Sequence, residues 1–296
     1  MILQEQSVRF WHESNPQGRV EALSRAAGFA KGPLRTGAMR PMSEDIGQIL
    51  KSWEYDPQNS IRKVIDPDGG EKIQVRVDQG AFQGVLQMEL DGRPDGKRPH
   101  NQTFAFDYYK ETLRRHTAAG AAPEAFKLSA EACQEVFDES KRVYERYVFL
   151  LQIQDHARVI RDTERNMEVF RFVNRYAERE EDQTAMEKWW PYILRIHAVA
   201  KVMVATQNED FDHASKIISE TEEKINGLPE VDAEEFAAEK KRSIKALQEL
   251  AEEIKGKMPP DREDALKQEL AEAVEQENFE KAALIRDEIR ELEGEG

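Results

Sequence analysis

The sequence predicts a mainly α-helical protein built from helical hairpins, with one small β-hairpin near the N-terminus and an antiparallel helical hairpin at the C-terminus. Two observations lead to this prediction. From Thr103 onward, apolar residues recur every three to four positions, which is typical of amphipathic helices. Before that point, Ile73, Val75 and Val77 alternate with polar residues, which is the pattern of a half-buried strand.

The expected elements follow from these patterns and from their breakers. The strand at Ile73–Val77 and a second strand at Val85–Leu90 flank a turn at Gln79–Ala81. Gly92 and Gly96 mark tight turns after the second strand. The helices are expected at about Phe104–His116, Ser129–Ile153, Gln154–Tyr176, Pro191–Ala205, Asp210–Ile225, Ala233–Lys257, Glu263–Gln276 and Phe279–Glu291.

The composition is polar and acidic. The 296 residues are 34% charged and carry a formal net charge of −15. Because proteins hold the nucleic-acid backbone with clustered Lys and Arg, this balance argues against direct nucleic-acid binding. The single cysteine, Cys133, excludes an internal disulfide and a multi-cysteine metal site and fits a reducing compartment. No apolar run approaches the roughly 18 residues of a membrane span, so we expect a cytoplasmic protein without a membrane segment.

Changes in composition divide the chain into five regions. Residues 1–41 carry a net charge of +3, and glycine and proline cluster at their end. They are interpreted as a disordered tail or as an artefact of the assigned start, with Met42 as the true first residue; a targeting peptide is a third interpretation. The other regions are a small α+β region with the β-hairpin, a series of helical hairpins, an amphipathic helix with its linker, and a C-terminal motif, at residues 42–120, 121–228, 229–260 and 261–296.

A short internal similarity occurs among the middle helices. Asp155-His-Ala-x-x-Ile160 recurs as Asp212-His-Ala-x-x-Ile217, an offset of 57 residues, where the second helix of each of two hairpins is expected to begin. An alanine there would let two helices approach closely. The pattern resembles the second helix of tetratricopeptide (TPR) repeats, although the offset exceeds their period of about 34 residues, and chance similarity stays open.

The C-terminal residues carry the most specific motif. Leu266, Leu270 and Ala273 form an apolar stripe on one helix, Glu277-Asn278 is expected to form a tight turn, and a second stripe follows from Phe279. The core Phe279-Glu-x-Ala-Ala-x-Ile-Arg-Asp-x-Ile289 resembles the UVR motif of the repair proteins UvrB and UvrC. That motif also occurs in Clp-type chaperone ATPases and McsA-type adaptors.

The resemblance implies a device for protein–protein contact that carries no chemistry itself. Such a hairpin buries little apolar surface, so it is expected to seek a partner. Docking on another protein, self-association and capping of the chain's own helices all stay open. Arg286 is expected to reach acidic groups and lock the hairpin. The expected contact residues are Leu266, Leu270, Ala273, Phe279, Ala282, Ala283, Ile285, Arg286, Asp287, Ile289 and Leu292.

A glycine-containing loop is a second candidate site. Its cationic side chains, Arg93, Lys97, Arg98 and His100, could bind an anion such as phosphate. The loop lacks the spacing of a phosphate-binding Walker motif, and solvated charges in an ordinary connection are the alternative.

Other residues suggest chemistry less strongly. His156 and His213 each follow an Asp at an expected helix start, where a carboxylate serving as an N-cap or lying in the first turn is the alternative to a metal pair. Trp189, Trp190 and Tyr192 fit either core packing or a binding site. No residues suggest a nucleophile with its base, so we expect no enzyme, no cofactor and no metal.

Three functions remain open from the sequence. The first is a non-enzymatic cytoplasmic adaptor or scaffold that holds a protein partner on the C-terminal hairpin. The second is an accessory factor of DNA repair or stress response that docks on UvrB/UvrC-type or Clp-type proteins. The third is an anion-binding or ligand-binding protein, or an enzyme, that uses the Arg93–His100 loop. The layout is similar to that of bacterial proteins with a UVR motif.

Overall fold

The computed structural model describes residues 45–258 and 262–294, with side chains described from 266 to 290 in the second range. The predicted tail at residues 1–41, part of the predicted linker Met258–Asp261 and the side chain of Leu292 lie outside the described residues. The described protein is mainly α-helical with a small antiparallel sheet toward its N-terminal side, which confirms the predicted fold class. The domain boundaries stay predictions.

The predicted elements appear in the predicted order with small shifts at their ends, and the structure adds one strand and two short helices, Gly47–Ser52 and Glu180–Thr184, that the sequence did not predict. They are α1 (Gly47–Ser52), β1 (Ile61–Ile65), β2 (Glu71–Gln79), β3 (Phe82–Glu89), α2 (Ala105–Ala118), α3 (Ala130–Gln152), α4 (His156–Tyr176), α5 (Glu180–Thr184), α6 (Trp190–Gln207), α7 (Phe211–Asn226), α8 (Glu234–Lys257), α9 (Arg262–Glu275) and α10 (Phe279–Gly294). In the two described ranges, no helix combines the length and the apolar character that crossing a membrane requires.

The sheet has the order β1–β2–β3, with antiparallel neighbours. β2 and β3 form the predicted hairpin around Gly80, whose φ of 60° is the left-handed conformation that favours glycine in a two-residue turn. Ile73 and Val75 are buried, as their alternation with polar residues predicts.

The sequence predicts two strands, and the structure adds a third, β1, along the other edge of β2. This strand lacks a clean alternation because Arg62 and Lys63 stand next to each other. The turn that follows is stabilised by Asp66, whose carboxylate accepts a hydrogen bond from the N–H of Gly70 at 2.7 Å. Pairing with β2 stabilises β1, and such a cross-strand contribution is invisible in the strand's own sequence.

One face of the sheet packs on the helices. Ile73 and Leu90 share a hydrophobic core with Val143 of α3 and Val159 of α4, all buried. A two-sided sheet of three short strands gains its stability from such packing.

A buried ion pair fixes the sheet and the loop after it to the helices. The guanidinium of Arg146 lies 2.7 Å from the carboxylate of Asp162, and both side chains are 1% exposed. Arg146 also donates to the carbonyl oxygen of Gly92 at 2.6 Å. Because two buried charges are costly unless they are paired and hydrogen-bonded, this arrangement holds α3, α4 and the loop at Gly92 in one geometry.

Three helical hairpins share one turn: α3–α4, α6–α7 and α9–α10. The residue before the N-cap of each second helix has a positive φ, at 59°, 58° and 54° for Gln154, Glu209 and Glu277. The N-cap side chain accepts a hydrogen bond from the N–H three residues on, and its own N–H reaches the carbonyl oxygen five residues back. These N-caps are Asp155, Asp210 and Asn278. Each turn therefore combines a Schellman ending with an Asx cap.

The shared turn shows that the two copies of the internal sequence similarity do not occupy equivalent positions in their helices. Asp155 is the N-cap of α4, whereas Asp212 lies in the first turn of α7, whose N-cap is Asp210. The prediction of a close-packed alanine fits Ala214, which is buried, and is wrong for Ala157, which is exposed. The structural correspondence is therefore an offset of 55 residues, and the resemblance to TPR repeats stays a prediction.

The long helix α8 lies across both α6 and α7. Leu247, Leu250 and Ile254 of α8 share a hydrophobic core with residues of both helices of that hairpin. The guanidinium of Arg195 on α6 lies 2.8 Å from the carboxylate of Glu239 on α8, which is fully buried. Helix α8 thus covers the α6–α7 hairpin within the chain.

Candidate protein-interaction site

The two C-terminal helices form a hairpin with its own hydrophobic seam. Side chains from both helices are buried in it, and Leu270 is partly buried against them. The buried residues are Leu266, Ala273, Ala282, Ile285 and Ile289. Ala273 and Ala282 lie next to the turn, where small side chains let the helices approach closely. The structure therefore brings these predicted site residues together, with Glu277-Asn278 as the turn between them.

Two residues expected in the apolar seam face solvent instead. Phe279 is 67% exposed, and Ala283 is exposed as well. The seam of α10 follows Ala282, Ile285 and Ile289 at spacings of three and four, so Phe279 and Ala283 are turned to the side of the helix. The prediction that they belong to the seam is wrong.

Arg286 does not lock the hairpin as the sequence suggests. Its guanidinium lies 3.1 Å from Asp287, its neighbour in α10, and both side chains are more than half exposed. Such an exposed pair contributes about 0–1 kcal/mol and does not connect the two helices. A charged contact between α9 and α10 is made instead by Glu269 and Lys281, at 3.9 Å.

The hairpin leaves large apolar side chains in solvent after its own seam is closed. Val274 is 52% exposed, Phe279 67% and Leu284 73%. Sequence reasoning missed Val274 and Leu284 as surface residues. The available signal is their position, since both stand one residue off the seam spacing in helices rich in charge. These side chains are apolar surface that the hairpin does not bury itself, and exposed apolar surface of this kind can serve as a contact site for another protein.

The structure does not bring the four cationic side chains of the Arg93–His100 loop into one anion site. Arg93 is nearly buried, and its guanidinium lies 2.9 Å from Asp95 and 3.4 Å from the buried carboxylate of Glu139. The ring of His100 lies 3.0 Å from the carboxylate of Glu135.

The other two cations of the loop, Lys97 and Arg98, are exposed. His100 also stacks on the ring of Tyr108, with centroids 4.1 Å apart. Half of the predicted cationic set therefore serves to hold the loop against α2 and α3, and the geometry favours an ordinary connection with solvated charges.

The histidines beside the helix starts do not converge. His156 is buried, and burial lowers its pKa, whereas His213 is exposed. Among the residues that the structure describes, no group of three or more His, Cys, Asp or Glu side chains is placed to hold a metal ion. Asp155 serves as an N-cap, and Asp212 lies in the first helical turn.

The remaining candidates pack in the core. Trp189 and Tyr192 are buried, and together with Tyr144 and Tyr147 they line a cavity of about 410 Å³ between α3, α4 and α6. Cys133 is buried, and burial raises the pKa of its thiol to about 11. At neutral pH this thiol stays protonated and is a poor nucleophile.

A comparison with known protein families finds a match in the C-terminal hairpin. The family model of the UvrB/uvrC motif, UVR, matches residues 264–295. The matched segment covers α9 from residue 264 onward, the turn and α10. Comparisons of the chain with curated proteins and with solved structures found no match. The C-terminal helical hairpin of this protein, with its seam, its Asx-capped turn and its exposed Phe279, is a UVR motif.

Proposed function

We propose that this chain is a non-enzymatic cytoplasmic adaptor that holds a partner protein on its UVR hairpin. The observation that carries the proposal is that the described part of the hairpin buries a seam between its two helices and still leaves Val274, Phe279 and Leu284 in solvent. A UVR motif is in general a protein-interaction module, and apolar groups that serve no internal packing are available for a partner.

The charge of the region supports a protein partner over a nucleic acid. Residues 228–296 carry a net charge of −10. Since binding to a phosphate backbone depends on clustered cations, contact through apolar side chains is favoured here.

The test is affinity capture with mass spectrometry on the full chain and on Phe279→Asp. Phe279 is exposed, so this change leaves the seam intact, whereas a change at the buried Ile289 would unfold the hairpin. Phe82→Asp is the matched control, since Phe82 is 81% exposed at the tip of the β-hairpin. Circular dichroism checks that both variants keep their helical content.

The proposal expects at least one partner to be lost with Phe279→Asp and kept with Phe82→Asp. A partner set that is the same for the full chain and both variants would contradict it. That result would make the hairpin a cap for the chain's own helices.

A second candidate is an accessory role in DNA repair or stress response, with docking on UvrB/UvrC-type or Clp-type proteins. The match of residues 264–295 to the UvrB/uvrC motif favours it. Deletion of residues 264–292 in the cell is expected to lower ultraviolet tolerance if the partner is a repair protein. Unchanged tolerance together with a lost partner would point to a different pathway.

A further inference from the structure

The α6–α7 hairpin in the body of the protein has the same design as the UVR hairpin. Counted from the N-caps Asp210 and Asn278, an offset of 68 residues, the same residue types recur. The shared types are an alanine before the turn, a glutamate and a phenylalanine on either side of the cap, and an alanine and an isoleucine in the second helix. These pairs are Ala205 and Ala273, Glu209 and Glu277, Phe211 and Phe279, Ala214 and Ala282, and Ile217 and Ile285.

The matching residues also have matching surroundings. Ala214 and Ile217 are buried in the α6–α7 seam, as Ala282 and Ile285 are in the α9–α10 seam. The residue before each cap has a φ near 55°, at 58° for Glu209 and 54° for Glu277. The family model matches residues 264–295; the equivalence of α6–α7 comes from this turn and from the burial pattern.

One difference separates the two hairpins: α6–α7 is covered. Beside the seam, Val199 and Ile218 are buried, and Phe211 is partly buried. All three belong to the hydrophobic core that includes Leu247, Leu250 and Ile254 of α8. A single amphipathic helix, with apolar residues at spacings of three and four, therefore lies along this face of the hairpin.

The same face of α9–α10 carries basic and apolar side chains that are exposed. Lys267 and Arg286 stand where the covered hairpin has Val199 and Ile218. Phe279, Ala283, Arg286 and Arg290 follow at spacings of four, three and four and share one side of α10. The neighbouring surface of α9 adds Val274, which is 52% exposed.

From this correspondence we propose that the Phe279–Arg290 face of the UVR hairpin binds one acidic amphipathic helix of a partner protein, in the position that α8 occupies on α6–α7. The inference rests on the proposed adaptor function and adds the face and the chemistry of the partner. Apolar residues of the incoming helix would cover Phe279 and Val274, and carboxylates on its flanks would meet the basic groups.

The charge of the Phe279–Arg290 face favours an acidic partner helix over a second copy of the hairpin. Although the whole chain carries a net charge of −15, this face presents the guanidinium groups of Arg286 and Arg290 beside its apolar groups, and the pair of Arg286 with Asp287 is more than half exposed. Long basic side chains can lie along an apolar surface while their charged ends meet carboxylates at the rim. A second copy of the hairpin would instead place like-charged faces against each other, which costs free energy.

The experiment uses two fluorescent peptides of about 20 residues, long enough to form a helix on the surface. Both carry the same apolar stripe, spaced as Leu247, Leu250 and Ile254 are in α8; one has glutamate on its flanks and the other has lysine. Fluorescence anisotropy measures their affinity for the full chain. The glutamate peptide is expected to bind at least about tenfold more tightly than the lysine peptide.

Variants of the chain make the test specific. Arg286→Glu combined with Arg290→Glu should reverse the preference, and Phe279→Ala should weaken both peptides. Arg114→Glu combined with Arg115→Glu is the matched control, because these two arginines of α2 are about 70% exposed and lie outside the UVR hairpin. That change should leave the preference for the glutamate peptide in place.

Three outcomes would overturn the inference: equal affinity for the two peptides, binding of neither, or dimerisation of the chain that Phe279→Asp abolishes in sedimentation. These outcomes leave the adaptor function standing if affinity capture still shows a partner that Phe279→Asp loses. If capture shows no such partner, the adaptor function itself fails, whatever the peptides do.

Discussion

The hairpins α6–α7 and α9–α10 have one turn and one seam in common, and they differ in what lies on top of them. In α6–α7, the chain supplies its own cover, helix α8, anchored by the buried pair of Arg195 and Glu239. In α9–α10, the same face carries Phe279 and basic side chains, and these are exposed to solvent. In both hairpins the seam holds the two helices together, whereas the residues beside the seam are apolar and covered in α6–α7 and are exposed in α9–α10.

The largest expected effect comes from equivalent isoleucines in the two seams, each 6% exposed. Ile217→Ala should lower the free energy of unfolding of the body by about 2–5 kcal/mol, since it leaves a cavity between helices covered on several sides. Ile285→Ala should loosen α9–α10 and leave the body unchanged. Urea denaturation, followed by tryptophan fluorescence for the body and by circular dichroism for total helix, separates the two.

Equal shifts of the fluorescence midpoint in both variants would contradict a difference in how the two hairpins are attached to the body. They would mean that the UVR hairpin is part of the cooperative core, as α6–α7 is. A shift of the fluorescence midpoint in Ile217→Ala alone would show that α6–α7 belongs to the cooperative core and that the UVR hairpin does not.

A smaller effect concerns pH and belongs to the body alone. Burial, aided by Lys201 and Lys224, lowers the pKa of His197 on α6 from 6.5 to about 4. The folded state favours the neutral ring, so the stability that His197 contributes is present above pH 6.5 and is lost as the pH falls toward 4. After allowance for partial exposure, the loss is roughly 1–3 kcal/mol.

Urea denaturation at a series of pH values checks this, with His197→Asn as the comparison. Asparagine can keep a hydrogen bond to the hydroxyl of Thr163, which lies 2.9 Å from Nδ1 of His197. The variant should show a flatter dependence between pH 6.5 and 4. An unchanged slope would show that other groups cause the acid sensitivity.

The smallest effect sharpens the equivalence of the two turns. Asp210→Ala and Asn278→Ala each remove an N-cap hydrogen bond, of 3.1 Å to the N–H of His213 and 3.2 Å to the N–H of Lys281. Each should cost about 1 kcal/mol. Amide exchange should report the loss in the first turn of α7 for the first variant and of α10 for the second. No change in the first turn of α10 would show that Asn278 does not cap it.

Much of the helical architecture was predictable because it depends on local sequence patterns, such as the spacing of apolar residues. The apolar spacing of α3, α4 and α8 and the glycine turns gave element positions to within a few residues. The strand β1 was not predictable, since its stability comes from pairing with β2.

The motif at the C-terminal site was predictable from the sequence, but which of its residues are exposed was less predictable. The seam residues Ala282, Ile285 and Ile289 follow from spacing, but Phe279 belongs to the flank, because α10 begins at that residue. Arg93 and His100 pair with carboxylates of α3, which are distant in sequence. The loop sequence alone therefore overstates the positive charge of the folded loop. The equivalence of α6–α7 depends on the positions of the two N-caps, Asp210 and Asn278, which the structure defines.

Amide hydrogen exchange along the intact chain, alone and with the partner that affinity capture recovers, distinguishes the covered hairpin α6–α7 from a partner-binding hairpin α9–α10. We expect α7 to exchange slowly in both samples, because α8 covers it, and partner binding to slow exchange in α9 and α10. If the partner protects the Arg93–His100 loop or the sheet and leaves α10 unchanged, then the UVR hairpin is not the binding site.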